Sequence, residues 1–249
     1  MKEIFSLTRK TKRLIVIMFI ITAITLISAY FYYERINRLE DPRTVAITEM
    51  YIQYNQYVSE NDFYNVIAIL DTMEQAYKQI DHYRDSFEIG VIYTDRAAAY
   101  LTMALYNTED EKEKVAYLNM ADANLATSLE YYKKWESVYK NRDRLSIREM
   151  IRKDFPDNFD RRDKIIEKRA GTIEKALSEM NQRKSVTYTN LGIVKRHQGD
   201  LELAVKYYQE AIDLWEENIS AKSNLNVLLG GEPIKQSFIQ KLFPPEKDK

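Results

Sequence analysis

Ser185 to Asn226 reads SVTYTNLGIVKRHQGDLELAVKYYQEAIDLWEENISAKSNLN, and it carries the fold. Asn190-Leu191-Gly192 and Asn224-Leu225-Asn226 stand one repeat length apart within it. Between them run Gly199-Asp200-Leu201, Ala204, Tyr208 and Ala211. The period, 34, is a repeat length of helix-turn-helix solenoids, in which each unit buries its apolar face against the next. Such an architecture presents surfaces for other molecules and has no built-in catalytic centre. Gly199 is placed to end one helix and Asp200 to cap the following one. Ser220 to Leu229 reads as the first helix of a further unit, closed by Gly230-Gly231.

The rest of the chain is equally helical in pattern. Between Pro42 and Pro156 there is no other proline and a single glycine, Gly90. Proline removes a backbone donor and clashes with the preceding turn, so its absence favours long helices. Met50, Tyr51, Tyr54, Tyr57 and Val58 recur at helical spacing. Ser59 to Asp62 makes a turn in which Asn61 or Asp62 can cap the next helix. Phe63, Val66, Ile67, Leu70 and Met73 then stripe that helix. A second hairpin runs from about Ser86 through Ala97-Ala98-Ala99 to about Tyr106. It turns at Asn107 to Glu111 and returns with Val115, Leu118, Ala121, Leu125, Ser128 and Leu129.

Residues 136–184 are highly charged but periodic. Ile147, Met150, Ile151 and Phe155 form one stripe, and Phe155-Pro156-Asp157-Asn158 a sharp turn. Ile166, Ala170, Ile173, Leu177 and Met180 follow at heptad-like spacing. Two arrangements fit this pattern: two long amphipathic helices packed on the solenoid, or a projecting arm with an oligomerisation seam. The many Lys and Arg alternate with Asp and Glu, as on a solvated face.

Leu14 to Tyr33 is a run of twenty residues without a charge. As a helix it extends roughly 30 Å, the thickness of a bilayer's hydrocarbon core. Thr22, Thr25 and Ser28 are tolerable there because a hydroxyl can bond back to its own helix. Tyr30, Tyr32 and Tyr33 suit an interfacial aromatic belt. A cleaved signal peptide is the competing reading, but the run exceeds the usual apolar region and no small-x-small site surrounds Ala29. Five Lys/Arg precede the span, and Arg35, Arg38 and Arg43 follow it. This bias favours a cytoplasmic N-terminus and a main domain outside the cytoplasm.

Composition narrows the function classes. The net charge is -1 and the first thirteen residues carry five basic groups against Glu3, so the remainder is at -5. A mildly acidic domain is a poor match for nucleic acid. With no cysteine there are no disulfides, thiolate metal sites or cysteine nucleophiles. Nineteen tyrosines suit helix-helix seams, with rings packed and hydroxyls at the edge. His82 and His197 are the only histidines and fall in different hairpins. Neither a phosphate-binding glycine loop nor a metal-binding histidine pair is visible. No catalytic, cofactor or metal site is expected.

The unit 185–218 resembles the tetratricopeptide repeat (TPR) family. The resemblance rests on Tyr188, Leu191, Gly192, Gly199, Ala204, Tyr208 and Ala211, which stand where the family has an aromatic, Leu-Gly, a turn glycine, alanine, an aromatic and alanine. It departs at Lys195, where an aromatic is usual, and at Glu216, where a proline usually closes the unit. The earlier hairpins match loosely, through Val66 and Leu70 or Ala121 and Leu125. The resemblance implies a superhelix whose concave groove takes a peptide or helix of a partner protein. It places Asn190, two residues before the glycine, against a bound backbone, with Asn224 repeating it. Local hydrogen bonding is the other role open to these asparagines. Thr189 and Ile193 replace the lysines of the carboxylate-clamping variant.

The expected organisation is an all-α chain with a basic cytoplasmic tail (1–13), a transmembrane helix (14–33) and a juxtamembrane linker (34–43). Degenerate TPR-like hairpins (44–135), the charged hairpin or arm (136–184) and the best-matching repeat (185–218) follow. A partial repeat with a capping helix (219–243) and a polar tail (244–249) end it. The expected function is a membrane-anchored scaffold for an envelope complex, with partner contacts at Asn190 and Asn224. A chaperone-like accessory at a translocon and a cytosol-facing receptor are the alternatives.

Overall fold

The structure, a computed structural model, describes residues 15, 18, 19, 21–23, 25–27 and 40–234. The protein is all-α, with no strand among the described residues. Its helices from residue 40 onward are α1 (Val45–Ser59), α2 (Phe63–Lys78), α3 (Phe87–Thr102), α4 (Glu111–Tyr139), α5 (Arg144–Arg152), α6 (Arg162–Ser178), α7 (Met180–His197), α8 (Leu201–Leu214) and α9 (Ile219–Leu228). A 3-10 turn, Pro42–Thr44, leads into α1, and α3 ends in a π-turn, Met103–Asn107.

Side-chain caps set most of the boundaries. Asp62, Asp110, Asp143, Asp200 and Asn218 each accept a bond from a backbone N–H in the first turn of the helix they open. Each such cap contributes about 1 kcal/mol by satisfying donors that the helix itself leaves free. Asn61 does not cap: it takes the left-handed turn position, with φ +56°, and passes the cap to Asp62. Gly199 does the same ahead of Asp200, with φ +84°.

Three apolar clusters join the helices. Ile47, Val66, Leu70, Met73, Ile89 and Ile92 bind α1, α2 and α3. Ala97, Leu101, Leu118, Ala121 and Leu125 of the second hairpin meet Leu191 and Val194 of α7. Phe87, Tyr132 and Trp135 meet Ile147, Ile151, Phe155, Ile166, Ala170, Ile173 and Met180. The heptad-like seam is therefore internal. Ile166, Ala170 and Ile173 are wholly buried within one chain, so they offer no oligomerisation surface.

Residues 136–184 are not two long helices. They divide among the end of the 29-residue α4, the nine-residue α5, α6 and the start of α7. Their exposed charges pair with one another, as Arg144 does with Glu167 at 2.8 Å and Arg152 with Asp163 at 2.8 Å.

No helix among the described residues is long and apolar enough to cross a membrane. Most of the predicted span 14–33 lies outside the described residues. Those of its residues that are described are helical, and the Thr25 hydroxyl donates to the Ile21 carbonyl at 2.9 Å. The predicted capping helix beyond residue 234 also lies outside them.

Candidate functional site

The geometry begins with two glycines. Gly192 of α7 lies against the ring of Tyr208 of α8, and Gly90 of α3 lies in the same way against Tyr132 of α4. Without a Cβ the helices approach closely enough for each ring to occupy the space a side chain would take. Ala204, Tyr208 and Ala211 are fully buried around the first of these contacts. Lys195 does not fill a seam as an aromatic would. It reaches back to Asp122 of α4, with Nζ 2.6 Å from Oδ2. The join after residue 214 is made by Asn218, whose amide donates to the Ser185 hydroxyl at 2.8 Å and the Thr189 hydroxyl at 2.9 Å. A buried asparagine thus ties the segment after α8 back onto α7.

In this packing α7 touches both α3 and α9. Thr94 of α3 meets Thr187 of α7 hydroxyl to hydroxyl at 3.2 Å, which fixes how those helices abut. Arg183 and Asn190 are two turns apart on α7 and share a face, as Glu88 and Asp95 do on α3. Asn190 and Asn224 are both half-buried. Among the described residues neither side-chain amide has a hydrogen-bond partner. Asn218 and Asn226 differ: Asn226 donates to the Glu232 carbonyl at 2.6 Å, and Asn218 is consumed as above. The helices that carry Asn190 and Asn224, α7 and α9, are in contact.

At the other end of α3 the corresponding place is filled. Glu88 stands two residues before Gly90, as Asn190 stands two before Gly192. Arg169 of α6 grips the Glu88 carboxylate with both terminal nitrogens, and both residues are largely withdrawn from water. The guanidinium also lies over the Tyr83 ring at 4.4 Å. Its Nε donates to Nε2 of His82 at 2.9 Å. His82 must therefore be neutral with its proton on Nδ1, which faces Asp154 Oδ2 at 3.0 Å. Burial alone would raise the Glu88 carboxyl, but Arg169 outweighs it and holds the group below the usual carboxylate range. Burial pushes His82 below the ordinary histidine value, and the bond to Asp154 only partly opposes it. Beside this network lies a pocket of about 180 Å³ lined by Asp41, Thr44, Tyr77, Tyr83, Glu88, Lys168 and Arg169 among others.

Sequence reasoning gave no role to Asp95 or Arg183 and read Tyr51 and Tyr54 only as part of a helical stripe. Asp95 is half-buried and accepts no hydrogen bond from a described residue, and burial pushes its carboxyl up to about 6 against the pull of Arg183. The signal available was the seven-residue spacing from Glu88 to Asp95, which puts two carboxylates on one helical face. His197 is exposed at the end of α7, far in sequence from the buried His82. No group of three or more His, Asp or Glu among the described residues is placed to hold a metal ion.

No protein-family model, no curated protein and no solved structure matches this chain.

Proposed function

We propose that the chain is a membrane-tethered helical scaffold of the tetratricopeptide-repeat kind that binds partner proteins along the face bearing Asn190 and Asn224. One observation carries this reading. The two asparagines recur one repeat length apart, both are half-buried, and neither amide is used by a described residue. A primary amide offers a donor and an acceptor together, which suits the backbone of an extended peptide whatever its side chains. The tether is residues 14–33, with the N-terminus in the cytoplasm and the helical domain outside it. In that setting the partners are subunits of an envelope assembly.

The test is crosslinking in native membranes, followed by identification of what the full chain captures. The unaltered chain should return a fixed set of proteins, and Asn190→Ala/Asn224→Ala should lose it while keeping its helical content. A broad spread of unfolded clients would replace the scaffold by a holdase. An unchanged capture set would remove the asparagines from the site.

A further inference from the structure

We infer that Tyr51, Tyr54 and Asp95 form a binding site for a cationic side chain, an arginine presented by a partner protein. Naming a protein as the source rests on the scaffold reading above, whereas the cation site itself does not.

The two tyrosines lie on α1, with ring centroids 6.2 Å apart and planes at 82°. Both pack against the cluster that contains Ile92 and Ala99 of α3. Asp95 falls between those two residues, three positions after one and four before the other. It therefore emerges one turn from each, on the face of α3 turned toward that cluster, and its charge acts on both phenols. A carboxylate near an aromatic ring is the combination that holds a guanidinium. The carboxylate accepts the N–H groups, and the ring quadrupole attracts the flat face of the cation.

Among the described residues the chain uses this chemistry elsewhere, with tyrosine as the ring at Arg169 and Arg96. Arg169 binds Glu88 and lies over Tyr83 at 4.4 Å. Arg96 binds Glu74 at 2.6 Å and lies over Tyr93 at 4.9 Å. Asp95, by contrast, acts on two phenols but has no bonded cation from the described residues. Arg183 acts on Asp95 electrostatically, but its Nη2 is given to Glu179 at 3.0 Å, its guanidinium lies over Phe87 at 5.3 Å, and its Nε has no acceptor among the described residues. The titratable groups that face Asp95 are Tyr51 and Tyr54 of α1, Tyr132 of α4 and Arg183 of α7. Burial raises all three phenols and takes Tyr54 to about 12, so they stay neutral and present uncharged rings. Arginine suits the site better than lysine because its planar cation can meet the carboxylate and stack at once.

The experiment is a nuclear magnetic resonance titration of the isotope-labelled full chain in lipid nanodiscs. The probes are Nα-acetyl-arginine methylamide and its neutral isostere Nα-acetyl-citrulline methylamide. The arginine probe should give saturable shifts at residues 51, 54 and 95, with a Kd on the order of 1–10 mM for so small a ligand. Citrulline should not. Asp95→Asn should weaken binding at least tenfold, and Tyr54→Leu should weaken it while leaving the carboxylate in place. Lowering the pH from 7.5 to 5 should weaken the unaltered chain and leave Asp95→Asn unmoved, because protonation removes the acceptor charge. An equal response to citrulline, or saturable shifts away from residues 51, 54 and 95, overturns the site. So does the absence of saturation up to about 50 mM. None of these outcomes depends on a captured partner, so failure here leaves the scaffold test standing and failure there leaves this one.

Discussion

Gly90 lies so close under the ring of Tyr132 that a Cβ on it would fall 2.5 Å from a ring carbon. Gly192 and Tyr208 repeat the contact in the next hairpin. The two pairs differ in reach. Gly192 and Tyr208 stand close to the turn that joins α7 to α8. Gly90 and Tyr132 are much further apart in sequence, because α3, its π-turn and α4 make a longer hairpin. One packing device thus serves a short hairpin near its turn and a long one near its open end.

Alanine at either glycine should destabilise the fold. The ring is held by its neighbours and cannot withdraw, so the added methyl forces the helices apart. Overpacking of this kind costs about 1–3 kcal/mol. Thermal unfolding of Gly90→Ala and Gly192→Ala should fall by roughly 2–4 °C per kcal/mol for a domain of this size. Unchanged midpoints would mean that the rings can move aside.

Tyr208→Phe should behave in the opposite way. The Tyr208 side chain is fully buried and its hydroxyl has no partner among the described residues. A buried hydroxyl without a bond costs about 1–3 kcal/mol relative to one that is paired. Its removal keeps the ring on Gly192 and deletes the cost, so the midpoint should hold or rise. A clear fall would show that the hydroxyl has an acceptor, most simply an ordered water.

The Arg169–Glu88 pair should be costly to break from one side only. Arg169→Met leaves Glu88 a buried carboxylate without its cation, at about 3–5 kcal/mol. Adding Glu88→Leu to it removes the orphaned charge and should recover much of the loss. Denaturant titration of the two singles and the double gives the coupling. A double variant that loses the sum of the singles would mean that the residues act independently.

What the sequence made legible follows the range of the contacts. The unit 185–218 was readable because its turn, its cap and its buried alanines fall within a single repeat length. Gly199, Asp200, Ala204, Tyr208 and Ala211 all occupy the places their local pattern implies. The Gly90–Tyr132 contact was not readable, since the period that would announce it is stretched by the longer arms. Arg169 looked like one more charge on a solvated face, yet it is buried against a glutamate 81 residues away. Only the fold brings such partners together. The internal use of the Ile166–Ile173 seam was hidden for a related reason: periodicity says that a helix has an apolar face but not what covers it. Asn190 and Asn224 were legible as a recurrence, whereas the Glu88–Asp95 spacing marks a shared helical face but not what stands opposite it.

The last prediction concerns pH. His82 accepts from Arg169 through Nε2 and donates to Asp154 through Nδ1, so the folded state holds it neutral. Its value is below the ordinary 6.5, through burial first, with Arg169 adding to it and Asp154 opposing. The unfolded chain therefore binds more protons than the folded one once the pH drops below about 6.5, and stability must fall with pH through that window. Asp95 acts with the opposite sign. Its folded value of about 6 lies above the ordinary 3.8, so the folded state takes up the extra proton and gains stability over the same interval. The net slope of the unaltered chain is thus a poor readout, and the difference between variants is the proper one. His82→Gln can still accept from Arg169 and donate to Asp154 but cannot be protonated. Relative to it, the unaltered chain should lose stability steadily from pH 7 to pH 5 in denaturant titrations. Asp95→Asn should shift in the other direction over the same range. Parallel curves for the unaltered chain and His82→Gln would show that His82 titrates alike folded and unfolded, and would undo the assignment of its proton to Nδ1.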